Sequence, residues 1–230
     1  GPSEDAITIQ RSDTGAVRMV FGSGFRVPLV GLGCGAGDLG EGARCFLRYF
    51  KEAFRLSDPE SELVLLKVRE EPYGDVVVLF NQQYLGYPVF GRQVLVTVSP
   101  AAEVTHVYST LAVPLTGPTV DELVQALAGA APEQSLEAVQ AHAGDSSLVA
   151  GPAMEIVWPL LADKTFQAVP AWSMATYTPG QSDPTRLSVV EAGSAAVLES
   201  RSLVASLPPR EMWGYARHPA MTTNSSHPTC

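Results

Sequence analysis

The chain has 230 residues, with 15 Lys plus Arg against 24 Asp plus Glu, a formal charge of −9, and charged residues make up only 17% of it. A nucleic-acid binder clusters Lys and Arg to neutralise phosphates, so this balance sets nucleic acid aside as a partner. Hydrophobic residues at 46% exclude a disordered chain, and no apolar run approaches the ~18 residues of a membrane-spanning helix.

The chain opens on Gly1 and Pro2, the pair that tag cleavage leaves behind, so its natural start is expected to lie elsewhere. Ala6 to Gln10 and Val17 to Phe21 are short β-branched stretches around Asp13, Thr14 and Gly15, which predicts an opening hairpin. Gly31 to Gly42 is crowded with glycines around Cys34 and Asp38 and predicts a loop. Ala43, Phe46, Leu47, Phe50, Phe54 and Leu56 then recur mainly at three- and four-residue spacings, with Arg44, Arg48, Lys51, Glu52 and Arg55 between them. That is the pattern of one amphipathic helix, ending near Ser57, Asp58 and Pro59. Leu63 to Val68, Asp75 to Gln82, Gln93 to Val98 and Val104 to Ala112 predict an antiparallel meander broken at Pro72, Gly74, Gly86, Gly91 and Pro100.

Thr119 to Ala131 opens on a capping residue and two acids, Asp121 and Glu122, and repeats Val120, Leu123, Val124 and Leu127 as a second helix would. Glu133 to Ala143 predicts a third, with Leu136 and Val139 inward and Ser135 capping. Strands follow at Met154 to Leu160, Ala171 to Thr178, Arg186 to Glu191 and Ala195 to Val204, broken at Pro170, the Pro179 to Pro184 loop and Gly193. Helix then strands, twice, predicts an α+β fold of two similar modules joined near Gly117. The expected divisions are 1–40 for the hairpin and Gly-rich loop, 41–117 and 118–204 for the modules, and 205–230 for an extended tail rich in Pro, Ser, Thr and Asn.

Chemical motifs are sparse. Gly35, Gly37 and Gly40 satisfy GxGxxG, but a dinucleotide turn needs a parallel strand after its helix ending in an acid, and Glu60 and Glu62 precede the next strand. A loop before an amphipathic helix explains the same glycines. Gly144, Asp145 and Ser146 with His142 nearby resemble a nucleophile turn only in sequence, and a polar loop accounts for them. The histidines His106, His142, His218 and His227 form no HExxH, and no cofactor or resident metal is expected. Asn224 to Ser226 matches a glycosylation sequon. Cys34, Cys45 and Cys230 are too few for a disulfide scaffold and lack zinc spacing. Cys34 and Cys45 are a candidate pair in an oxidising compartment, which leaves Cys230 unmatched and points to further sequence downstream.

Phe80 to Gly91, FNQQYLGYPVFG, is the most informative stretch. Gly86 and Pro88 suit a turn between strands, and Tyr84, Tyr87 and Phe90 suit cross-strand packing, so a hairpin core accounts for it without chemistry. The same segment resembles the hallmark of the FTP module, the fungalysin and thermolysin propeptide, of the form QxYxGxPVFG. The matching residues are Gln83, Tyr84, Gly86, Pro88, Val89, Phe90 and Gly91. Downstream, Leu123 to Ala128, Glu155 to Pro159, Pro170 to Ala175 and Ser188 to Leu198 resemble the PepSY module that follows FTP in such pro-regions.

The resemblance implies two cystatin-like modules, each a helix on a curled antiparallel sheet. It further implies a non-catalytic pro-region that templates and inhibits a secreted thermolysin- or fungalysin-type zinc metallopeptidase, in cis or in trans. Family pro-regions end in an extended segment near the active site, which here corresponds to Leu203 to Pro219 and supplies Arg210, Trp213, Tyr215 and His218. The alternative is a stand-alone extracellular binding or adhesion module, or an inhibitor, with the same fold and no linked peptidase. Glu191 stands where the family commonly has Asp, and no HExxH lies within the chain.

Overall fold

The computed structural model describes residues 6–35, 37–129 and 132–203. β1 (Thr8–Arg11) and β2 (Val17–Phe21) form the opening hairpin. Both β2 and the short β3 (Val27–Pro28) pair antiparallel with β7 (Glu103–Ser109), so the N-terminal hairpin extends the sheet that follows it.

The Gly-rich stretch is only partly a loop. Asp38 accepts hydrogen bonds from the N–H groups of Gly40 and Glu41 and caps α1 (Leu39–Tyr49), which takes Gly40 and Gly42 into its first turns. Gly42 is there for space. A Cβ on it would stand 2.7 Å from the Gly35 carbonyl oxygen and 2.9 Å from Leu29 Cδ1. A disulfide joins Cys34 in the loop to Cys45 on α1. The expected single helix is two, because the chain leaves helical geometry at Phe50 and resumes as α2 (Lys51–Phe54), closed by Arg55 at φ 54°. Asp58 and Pro59 do not merely stop a helix. They start the single turn α3 (Pro59–Glu62), with the Asp58 side chain as cap and the proline at its first position.

β4 (Leu63–Glu70), β5 (Val76–Tyr84), β6 (Tyr87–Val98) and β7 make the expected meander. Phe46, Leu47 and Phe54 of the helices bury against Val78, Phe80, Val94, Val96 and Val107 of the sheet to form the largest core. Arg44, which the spacing puts among the polar residues of its helix, is also buried. It donates to the carbonyls of Leu63 (2.7 Å) and Pro59 (3.3 Å), ion-pairs with Glu41 and Glu60, and lies over the Phe80 ring.

The second half opens with β8 (Leu115–Thr116), α4 (Val120–Ala128) and α5 (Pro132–Ala143). A reciprocal Thr119–Glu122 capping box starts α4. Ser135 does not cap α5; it lies inside the helix and is buried beside the Val139 face. The sheet continues through β9 (Val149–Ala162), β10 (Thr165–Tyr177), β11 (Arg186–Glu191) and β12 (Val197–Ser202). Pro170 does not break a strand as expected. Its carbonyl accepts from Ala192 N–H just past the end of β11, so in antiparallel geometry its absent N–H falls on that same side, where the ladder stops. The architecture is α+β, a curled sheet with few helices.

Candidate functional site

β6 serves both halves of the sheet. Gln93 to Val98 pair with β5 on one side and, from Val94 on, with β7 on the other, whereas Val89 pairs in parallel with Val157 of β9. The turn before β6 sets up this divergence. Leu85 and Gly86 both have positive φ, 52° and 91°, which is the two-residue turn that matches strand twist. The turn is therefore Leu85–Gly86, and Pro88 belongs to β6, paired with Gln83.

Between Asn81, paired with Gln93, and Gln83, paired with Pro88, the β5–β6 register shifts, leaving Gln82 on β5 and residues 89–92 on β6 out of the ladder. The Gln82 side chain points inward and is only 1% exposed. Gln82 Nε2 donates to the Ala112 carbonyl at 3.0 Å, and Ala112 N–H donates to Gln82 Oε1 at 2.8 Å. One side-chain amide thus stands in for a neighbouring strand at a fully buried backbone position. The QxYxG spacing itself puts Gln82, two residues before Tyr84, at its first position. Gln83 is the half-exposed neighbour, donating to the Ser61 carbonyl at 2.7 Å.

Tyr84, Val89 and Phe90 reach across the divergence. Tyr84 hydroxyl donates to the Pro118 carbonyl at 3.0 Å, immediately before the α4 cap. Burial, and then the Glu122 carboxylate, push its pKa above the usual tyrosine value. Val89 is buried with Leu123, Leu127 and Val157. Phe90 stacks on Trp158 with centroids 5.5 Å apart. Gly91, at φ 66°, turns the strand back toward the first half. The hairpin is a joint: it holds the Ala112–Pro118 connection, α4 and β9 in place, and it carries no acid–base pair or nucleophile.

That architecture coincides with a known sequence family. Residues 61–111 match the Fungalysin/Thermolysin Propeptide Motif, FTP. The FTP match runs from α3 through the edge strand β4 to Leu111, just before Ala112, and contains the whole joint. It supports a thermolysin- or fungalysin-type propeptide, implies a non-catalytic pro-region, and implies association with a peptidase domain. No curated protein matches the chain.

The tail residues Arg210, Trp213, Tyr215 and His218, with His227 and the Asn224 sequon, lie outside the described residues. His106 is an exposed residue of β7, and His142 lies on the exposed last turn of α5. Asp145 accepts from the N–H and hydroxyl of Ser147, which holds its carboxyl below the usual range and makes an ordinary turn after α5. Gly35 and Gly37 precede a helix whose following strand, β4, pairs antiparallel with β5, so the parallel crossover of a dinucleotide site does not follow them. Among the described residues no three His, Cys, Asp or Glu side chains gather as a metal site, and no helix is long and apolar enough to cross a membrane.

Proposed function

We propose that this chain is the pro-region of a secreted thermolysin- or fungalysin-type zinc metallopeptidase and acts as its intramolecular chaperone and inhibitor. The observation that carries the proposal is the FTP match at 61–111, centred on a hairpin whose hallmark residues form a structural joint. Two modules divide near residue 117, the first FTP-like and the second PepSY-like, each cystatin-like in having helices on a curled sheet. Support for the division comes from the largest apolar cluster, whose buried residues run from Ala16 to Val113, while the clusters over α4, α5 and β9 to β12 take from the first half only Val89 and Ala112, with Tyr84, Tyr87, Phe90 and Leu115 packed against them. Secretion is supported by the Cys34–Cys45 disulfide, which persists in oxidising compartments.

A pro-region of this kind supplies no catalytic group. It offers a preformed surface against which the peptidase folds, and the segment that carries Arg210, Trp213, Tyr215 and His218 blocks the enzyme's cleft. Trp213 and Tyr215 are the apolar anchors of that segment, with Arg210 and His218 as its polar rim.

The parent gene provides the first test. An HExxH with a distal Glu ligand encoded beyond Cys230 is expected; an open reading frame without them overturns the assignment to a linked peptidase. With that catalytic domain in hand, the chain added in trans should inhibit it and speed its refolding. Trp213→Ala combined with Tyr215→Ala should weaken inhibition at least tenfold, and unchanged inhibition removes the tail from the mechanism.

A further inference from the structure

We propose that a cleft between the β1–β2 turn, the β6–β7 ladder and the β9–β10 hairpin is a binding site for a carboxylate carried on an apolar body. The cleft has a volume of about 260 Å³ and is lined by Arg11, Arg18 and Arg92 on one part and by Leu111, Leu161 and Phe166 on another. Three arginines converge here in a chain whose net charge is −9. No carboxylate forms an ion pair with any of the three among the described residues.

Arg92 is the anchor. It is half-buried, donates through Nη1 to the Thr110 carbonyl at 3.1 Å, and lies over the Phe166 ring at 5.1 Å. Burial alone lowers its pKa, so the cation lacks the stabilisation that a counter-ion would give. A guanidinium has five donors in a planar fork, and one is used here. Arg11 donates to the Gly15 carbonyl and Arg18 makes no hydrogen bond or ion pair among the described residues, which leaves donors from both available. Arg55 packs beside Gly15 of the same turn and adds positive potential.

The rest of the wall selects among anions. Leu111, Leu161 and Phe166 favour a charged group attached to carbon over a fully hydrated ion. Asp13 sits on the same cleft and repels a dianion more than a monoanion. Its volume suits one side chain rather than a drug-sized ligand. These constraints describe a Glu or Asp side chain beside an apolar residue in a polypeptide, or a short free organic acid. The site is inferred from this geometry alone and stands or falls independently of the pro-region assignment.

Isothermal titration of the full chain with acetyl-Leu-Glu-Leu-amide, its Gln counterpart, 4-methylpentanoate and inorganic phosphate tests it. The Glu peptide should bind, and the Gln peptide at least tenfold more weakly. Arg18→Gln should cost about tenfold and Arg92→Lys, which keeps the charge but loses the fork, a similar factor. Arg18 is exposed, so an unchanged melting temperature in Arg18→Gln separates lost affinity from lost fold. 4-Methylpentanoate binding as tightly as the peptide supports carboxylate recognition and makes a free acid the source. Equal binding of the Glu and Gln peptides, tighter binding of phosphate, no binding of any probe, or an unaffected Arg18→Gln overturns the proposal.

Discussion

Gln82 offers the sharpest test of the joint. Replacing it with Met keeps an unbranched chain of similar size, so little cavity forms, but Ala112 loses both hydrogen-bond partners. Each buried, unpaired backbone group costs about 1–3 kcal/mol, so the pair should cost about 2–6 kcal/mol out of a total of about 5–15 for a domain. Gln83→Ala one residue away removes a single bond from a half-exposed side chain and should cost under about 1 kcal/mol. Urea titration followed by far-UV circular dichroism reads both, with an unchanged m-value as evidence that the denatured state is not the cause. Gln82→Glu adds a second handle. Protonated, its carboxyl can restore both bonds; ionised, it faces the Ala112 carbonyl in a dry site. Its folded-state pKa should therefore lie above the unfolded value, so its stability is fullest at low pH and is lost as pH rises through the raised value. A Gln82→Met variant that loses less than about 1 kcal/mol, or a Gln82→Glu variant with pH-independent stability above pH 4, would refute the assignment of Gln82 as a structural stand-in for a strand.

Gly42→Ala should destabilise by about 1–3 kcal/mol by thermal melting, because its Cβ has nowhere to go against the Gly35 carbonyl; a neutral result would mean the loop yields freely. Cys34→Ala with Cys45→Ala opens a loop with a sequence separation of 11 and should cost about 3 kcal/mol on the chain-entropy estimate, measured by denaturant midpoint. The Thr119 hydrogen bonds hold Glu122 below its ordinary pKa, so the stability they add is present above the unfolded value of 4.5 and lost as pH falls through the lower folded value. Glu122→Gln should accordingly flatten that part of the acid limb in a pH titration of Tm, and an unchanged limb would show that the box is not formed in solution.

Local patterning made the element list legible. Short apolar runs bounded by Pro72, Gly74, Gly86, Gly91 and Pro100 marked β4 to β7, and Thr119 with Asp121 and Glu122 marked the start of α4, because capping and turn chemistry depend only on near neighbours. The misread positions have one cause in common. Gly40 and Gly42 looked like loop residues, yet they permit a helix to lie tight against Leu29 and Gly35. Pro170 looked like a break, yet it sits where the β11 ladder has already ended. Arg44 looked like a surface cation, yet carbonyls from α3 and β4 and the Phe80 ring surround it.

By itself the sequence determined an acidic α+β chain with two helix-and-strand sets and an FTP-like hairpin, since composition, periodicity and turn chemistry are local properties. Only the tertiary structure decided that β6 divides between two parts of the sheet, that the Gln82 amide pairs with the buried Ala112 backbone, and that Arg11, Arg18 and Arg92 line one cleft. Those outcomes depend on strand register and on segments far apart in the chain, and no local pattern encodes either.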